Sequence, residues 1–243
     1  MVLQKAQKWL LNLIFQPKCI FCGEILKVSV DLFVCEKCAK KLPYVGAKIC
    51  QKCGSSLDTV YGNNICFDCR NTTRYFDSAR APFLYEKEIK HIIVKFKFYR
   101  FHAAADPLGY YMAQKAKAFD GIDWITYVPL SKREFIKRGY NQAEILAKSV
   151  AKHLNLQFAV KELLCKVGNN QVQSHLSMKD RIKNVKGVFS VIDGIDLSGK
   201  TILLVDDVMT TGATLNECSK QLRLLGAKCV YAVTAAVSAY ERY

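Results

Sequence analysis

The run LLVDDVMTTGAT, residues 203–214, holds a dense group of side chains able to do chemistry. The apolar stretch ILLV leads into two adjacent carboxylates, Asp206 and Asp207. A turn containing Thr210, Thr211, Gly212, Ala213 and Thr214 follows. The apolar run suits a buried parallel strand, and the spacing after Gly212 suits a helix. The first amides of a helix, flanked by hydroxyls, make an anion site suited to a phosphate, and Gly212 lets the backbone come close. Two acids would repel that phosphate. They fit if the ligand also carries a vicinal diol, because ionised carboxylates accept hydrogen bonds strongly. Phosphate and diol together describe a ribose 5-phosphate. An acid pair that only caps a helix is the alternative, but capping needs one acid.

A second group is thiol chemistry. Eight of the eleven cysteines fall in four C-x-x-C pairs: Cys19/Cys22, Cys35/Cys38, Cys50/Cys53 and Cys66/Cys69. CIFCGEILKVSVDLFVCEKC and CQKCGSSLDTVYGNNICFDC share their opening CxxCG, loop length and closing CxxC, and Cys50 stands 31 residues after Cys19. Two such knuckles complete a tetrahedral, structural zinc site of four thiolates. Segments this short build no core, so metal would supply their folding energy. Gly23 and Gly54 permit the turn and would leave backbone N–H groups free for sulfur. An iron–sulfur cluster or redox pairs are the other uses of such thiols. Pairing can be sequential or interleaved, and the repeat favours sequential. Cys165, Cys218 and Cys229 stand alone and read as small buried hydrophobes.

With 243 residues and 51% hydrophobic content, the chain suits one or two domains with a sizeable core. A net charge of +15 favours polyanionic partners such as nucleic acid or phosphorylated small molecules. WLLNLIF, residues 9–15, lacks a cleavage site and is too short for a membrane span. It reads as a short helix packed on the body, with a membrane-surface role as the alternative. No export signal is evident, so a cytoplasmic chain is expected, where cysteines more often hold metal than disulfides.

The elements that must position these groups alternate. RAPFLYE reads as a strand, and KEIKHIIVKFKFYRF as a helix with Ile89, Ile92, Ile93 and Phe96 inward. DWITYVPL is a strand. NQAEILAKSVAKHLNL is a helix capped by Asn141, with Ile145, Leu146, Val150 and Leu154 inward. GKTILLVD and KCVYAVTAAV are strands. Between them GATLNECSKQLRLLGA is a helix striped by Leu215, Cys218, Leu222 and Leu225 and stopped by Gly226. This alternation argues an α/β fold with a doubly wound, mainly parallel sheet, which takes ligands at the carboxyl ends of its strands. RNTTRYFDS reads as a polar linker. The division is 1–71 for the N-terminal helix and cysteine-rich unit, and 72–243 for the α/β domain.

ILLVDDVMTTGATL resembles the phosphoribosyl-pyrophosphate (PRPP) loop of type I phosphoribosyltransferases. By that resemblance Asp206 and Asp207 hold the ribose hydroxyls. Thr210, Thr211, Gly212, Ala213 and Thr214 hold the 5-phosphate. VPLSKR supplies the pyrophosphate loop through Ser131 and Lys132, with Mg2+ accompanying PRPP. Thr210 falls where some purine enzymes carry an Asp near the base, so no general base can be assigned there. The four CxxC pairs, VPLSKREFIKRGYNQAEILAKSVA, QSHLSMKDRIKNVKGVF and this loop, in that order, resemble the ComF/GntX family over nearly the whole chain. That resemblance implies a double zinc ribbon joined to a phosphoribosyltransferase-like domain. It also implies a role with incoming single-stranded DNA in natural transformation. A DNA-uptake helicase is a candidate partner and the inner face of the membrane a candidate location.

Three basic clusters accompany these motifs: Lys87, Lys90, Lys95, Lys97 and Arg100; Lys132, Arg133, Lys137 and Arg138; Lys179, Arg181, Lys183 and Lys186. The first reads as a solvated helix face. Arg133, Arg138, Tyr140, Lys179 and Arg181 are the candidates for nucleic-acid or pyrophosphate contacts. Phe96, Phe98, Tyr99, Phe101, Phe135 and Tyr140 lie among or beside them and divide between core and base stacking. His91, His102 and His153 read as surface or satisfied residues. His175 falls in QSHLS, the segment that the resemblance places over PRPP. The expected function is a PRPP-binding, zinc-containing competence protein that handles single-stranded DNA. The alternatives are an active phosphoribosyltransferase acting on an amine or base, and a PRPP-sensing regulator without turnover.

Overall fold

The structure is a computed structural model that describes residues 16–27, 30, 32–57, 64–167 and 187–238. The expected helix at residues 9–15 lies outside these.

The ribbon region repeats in space as it does in sequence. Lys18 bridges Ile25 in the first copy and Ile49 bridges Ser56 in the second, again 31 residues on. Each copy ends in a short helix, α1 (Glu36–Ala39) and α2 (Phe67–Asn71).

The body is a parallel sheet formed by β1 (Ser78–Arg80), β2 (Phe83–Leu84), β3 (Trp124–Tyr127), β6 (Thr201–Met209) and β7 (Cys229–Val237). Its order is β1-β7-β6-β3, with β2 also on β7. β4 (Leu164–Lys166) and β5 (Phe189–Val191) form a separate antiparallel ribbon. The expected single strand RAPFLYE is two short ones. Pro82 has no N–H for a ladder and breaks the run between them. β6 extends past the acid pair to Met209, because Val208 and Met209 still pair with Ala236 and Val237. Asp206 and Asp207 therefore are the sixth and seventh of its nine residues rather than its tip.

Helix α3 (Lys87–Phe98) buries Ile89, Ile92, Ile93 and Phe96 as its spacing requires. α4 (Ala105–Ala116) escaped sequence reading because Pro107 and Gly109 interrupt its pattern. Pro107 occupies the first turn, where a missing N–H does no harm. Helix α5 (Lys132–Arg138) is short and has no buried residue. In α6 (Gln142–Leu154), the Asn141 side chain caps by accepting from Ala143 N–H at 2.9 Å. Its inward face is mostly small: Ala143, Ala147, Ser149 and Ala151 are buried with Leu146 and Val150, while Ile145 and Leu154 are half-buried. That face meets α4, and both helices lie on the sheet. α7 (Ala213–Leu224) buries Leu215, Cys218 and Leu222, and Gly226 ends the run with φ of 88°. Right-handed crossovers place α7 on the face opposite α4 and α6.

Ribbons and sheet share one core, in which Ile20, Leu42, Val45, Cys50 and Cys66 join the buried residues of the body. Val45 N–H donates to Pro82 O and Leu84 N–H to Pro43 O, at 2.9 and 2.8 Å. Ala79 N–H donates to Lys52 O at 2.8 Å, so the second ribbon abuts β1. Among the described residues no helix is long and apolar enough to cross a membrane.

The α4–α6 crossing depends on Gly109, since a Cβ there would lie 2.1 Å from Ser149 Oγ. Gly109→Ala is expected to destabilise the protein by about 1–3 kcal/mol through overpacking. Urea unfolding should show a lowered midpoint, whereas Gly46→Ala, which has open space around it, should unfold as wild type does.

Candidate ribose-phosphate site and zinc centres

The eight knuckle cysteines gather sequentially. Cys19, Cys22, Cys35 and Cys38 form one group, and Cys50, Cys53, Cys66 and Cys69 the other, each with all sulfurs within 4.8 Å of one another. Backbone N–H groups of Cys35 and Cys66 point at Cys19 Sγ and Cys50 Sγ, at 3.4 and 3.3 Å. Four convergent thiols with amide donors on the sulfurs fit Zn2+. Gly23 and Gly54 do take positive φ, 77° and 72°. Their N–H groups, however, bond the Cys19 and Cys50 carbonyls rather than sulfur. Of the lone cysteines, Cys218 is fully buried, while Cys165 and Cys229 are only half-buried.

At the carboxyl end of β6, Asp207 is 7% exposed and Asp206 is half-buried. Lys97 Nζ lies 2.8 Å from Asp207 Oδ1. This corrects the reading of the first basic cluster. Lys87, Lys90, Lys95 and Arg100 are exposed, but Lys97 lies one helical turn beyond Ile93 and so falls on the apolar stripe. Burial would pull its ammonium down, yet Asp207, with Asp206 beyond, raises its pKa above the ordinary lysine value. Burial, then the Asp207 charge, push the Asp206 carboxyl up to about 7, against the pull of Lys97 and Arg138. The Asp206 carboxylate also accepts from Asp207 N–H at 2.8 Å.

RGYNQ holds this arrangement together. Tyr140 OH donates to Phe96 O, and Gln142 Nε2 to Lys97 O at 3.4 Å. Asn141 Nδ2 donates to Val128 O at 3.0 Å. Gly139 takes φ of 81° against the Arg100 guanidinium. The end of α3 is thus tied to the turn after β3, which fixes Lys97 under Asp207.

The turn after Met209 keeps Gly212 buried. Gly212, with φ of 73°, begins α7 and no side chain caps the helix; Ala213 N–H donates to Thr211 Oγ1 at 3.3 Å. Thr210 is exposed; Thr211, Ala213 and Thr214 are half-buried. Ser131 caps α5 in a capping box with Glu134, its Oγ donating to Glu134 Oε2 at 2.7 Å. Burial opposes the Glu134 charge, but Lys166 and Ser131 outweigh it and draw its pKa down to about 2. Lys132 and Arg133 are exposed. Together with Ser131, Ile136, Cys165, Lys166 and Val167 they line a cavity of about 770 Å3. Arg138 donates to Gln142 Oε1 at 2.8 Å and faces the Phe98 ring at 5.5 Å. Of the six aromatics, Phe96 is buried, Phe101 and Tyr140 are half-buried, and Phe98, Tyr99 and Phe135 are exposed. His91 and His102 are exposed and His153 is half-buried. Lys179, Arg181, Lys183, Lys186 and His175 lie outside the described residues.

Residues 10–70 match the double zinc ribbon domain family, and residues 138–242 match the phosphoribosyl transferase domain family. Across both, the chain is 31% identical over 221 residues to competence protein F of Haemophilus influenzae, covering 87% of this chain and 93% of that one. It is 26% identical over 227 residues to competence protein ComFC of Streptococcus pneumoniae, covering 88% and 96%. It is 27% identical over 203 residues to DNA utilization protein YhgH of Salmonella typhimurium, covering 81% and 87%. The chain belongs to the competence protein F/ComFC family, with two four-cysteine zinc sites in a double zinc ribbon followed by a phosphoribosyltransferase-like domain.

Lys97→Met would strand a buried carboxylate and should cost about 3–5 kcal/mol of stability, most of it recovered when Asp207→Asn is added. A double-mutant cycle by denaturant unfolding measures this. A carboxyl with a raised pKa holds its proton more tightly folded than unfolded. The advantage is therefore complete at low pH and is lost as pH rises from about 4 in the unfolded chain to about 7 in the folded one. Asp206→Asn should raise Tm at pH 8 and have little effect at pH 4, each kcal/mol of relief moving Tm by about 2–4 °C.

Proposed function

We propose that the protein binds PRPP, or a related ribose 5-phosphate, at the end of β6 and handles single-stranded DNA on the adjoining basic face. The observation that carries the reading is the acid pair running into an uncapped helix start through Gly212. With Lys97 neutralising Asp207 and the Asp206 pKa raised to about 7, the two carboxylates leave the site at most one negative charge, and it tolerates a phosphate nearby. Asp206 and Asp207 would accept from the ribose hydroxyls. Backbone amides and hydroxyls of Thr210, Thr211, Gly212, Ala213 and Thr214 would take the 5-phosphate. Ser131 and Lys132 would face the diphosphate.

Magnesium fits as a companion of the diphosphate rather than as a protein-held ion, since one oxygen of Asp207 already faces Lys97. Bound there it supplies charge neutralisation. Because Asp206 must ionise to accept from a diol at full strength, affinity should rise as pH passes through about 7.

For DNA, the favoured surface joins the ends of α3 and α5. Phe98, Tyr99, Phe135 and Ile136 are 53%, 75%, 48% and 81% exposed. Lys132, Arg133, Lys137 and Arg100 stand exposed among them. The one acid of α5, Glu134, is turned to Ser131 and Lys166, so it leaves that face cationic. Exposed rings amid cations suit bases that stack and phosphates that pair. The name of the Salmonella relative, a DNA utilization protein, agrees with this.

Calorimetric titration of the zinc-loaded protein with PRPP and Mg2+ tests the first part. Binding is expected for wild type, and a loss beyond detection for Asp206→Asn with Asp207→Asn at unchanged zinc content. Wild-type affinity in the double variant would overturn the assignment. Fluorescence anisotropy with a labelled single-stranded oligonucleotide tests the second. Binding should weaken steeply with salt, and Tyr99→Ala or Phe135→Ala should each lose about 1–3 kcal/mol. Unchanged affinity in both variants would move the DNA elsewhere.

A further inference from the structure

The chain leaving the second ribbon passes over the phosphate turn. Tyr75 N–H donates to Asn216 Oδ1 at 2.7 Å, and Asn216 Nδ2 donates to Thr73 O at 3.0 Å. One side chain in the first turn of α7 thus clasps the backbone on both sides of Arg74. The guanidinium lies against the turn: a Cβ at Gly212 would be 3.2 Å from Arg74 Nη1. Arg74 Nε is buried with no hydrogen-bond partner among the described residues, and the guanidinium faces the Phe76 ring at 5.9 Å. A buried donor without an acceptor is costly, and a cationic one more so. Arg74 is therefore poised over a helix start suited to an anion, with donor capacity unused.

We propose that Arg74 is a direct ligand of the 5-phosphate, completing from the ribbon side an anion site whose other half is the α7 start. The proposal rests on the reading of this turn as the ribose 5-phosphate cradle. It makes the site composite. The phosphate would be held by the amides of the α7 start and, from the side, by a guanidinium packed against Gly212 and carried by the segment that closes the second zinc ribbon. Gly212 is then required twice, for its positive φ and for the space that Arg74 occupies. Asn216 is a positioning residue that acts through Arg74. Because residues 73–75 follow directly on α2 and its ligand Cys69, an ordered second ribbon is what delivers the guanidinium.

The test uses the full-length, zinc-loaded protein and ribose 5-phosphate. By calorimetry Arg74→Ala should weaken binding about 10–100-fold. Arg74→Lys should restore part of it, since an ammonium supplies charge without the planar fork. Bound zinc and Tm should stay near wild type. Phosphorus NMR of the bound ligand adds a readout that mere loosening would not move: the second ionisation of the 5-phosphate should occur at higher pH in Arg74→Ala than in wild type. If wild type binds and Arg74→Ala binds equally with the same phosphate ionisation, the proposal is overturned. If wild type does not bind ribose 5-phosphate at all, the cradle reading falls, and the proposal falls with it.

Discussion

The pairing of Lys97 with Asp207 is the interaction on which the site end of this fold depends. A carboxylate that is 7% exposed at the end of a parallel strand needs a counter-charge, because desolvation without one costs several kcal/mol. The lysine comes from helix α3 and the carboxylate from strand β6, so α3 must end in one place. That constraint accounts for the contacts around it. Tyr140 and Gln142 bond the carbonyls of Phe96 and Lys97, and Asn141 bonds the turn after β3 while capping α6. The motif RGYNQ is thus a clasp that converts a helix end into a fixed charge. With Asp207 paired, Asp206 carries the remaining cost, and its pKa near 7 records it.

The zinc ribbons enter the same chain of dependence from the other side. Their segments are too short to fold on apolar burial alone. They are nevertheless not a free appendage. Cys50 and Cys66 belong to the common core, and Pro43 and Val45 bond the β2 segment. The segment after the second ribbon, fixed by Asn216 and again where Asp77 accepts from Val230 N–H at 2.8 Å, runs beside the turn at Gly212. Cysteine knuckles, sheet edge and the proposed anion site are therefore mechanically continuous.

Much of this was legible in the sequence, and the failures have physical causes. The knuckles and their sequential grouping followed from spacing and repeat. The strand–acid–turn–helix order of β6 and α7 followed from periodicity and Gly212. Helix α4 was hidden because Pro107 and Gly109 carry breaker signals that first-turn placement and close packing override. The residue type of Lys97 points to the surface, although its spacing from Ile93 puts it on the buried stripe. Arg74 gave no local signal, since the 73–75 segment acquires meaning only by contact with Asn216, more than a hundred residues away. The split of the aromatic residues between core and surface likewise needed the fold, for Phe96 and Phe98 differ only in which side of one turn they occupy.

The most direct measurement is a crystal structure of the zinc-loaded protein with PRPP and Mg2+. Ribose hydroxyls are expected within hydrogen-bond reach of Asp206 and Asp207, and the 5-phosphate on the backbone of residues 210–214 beside the Arg74 guanidinium. Lys97 should remain against Asp207. Ligand seated elsewhere, or an empty cradle at saturating PRPP, would contradict it.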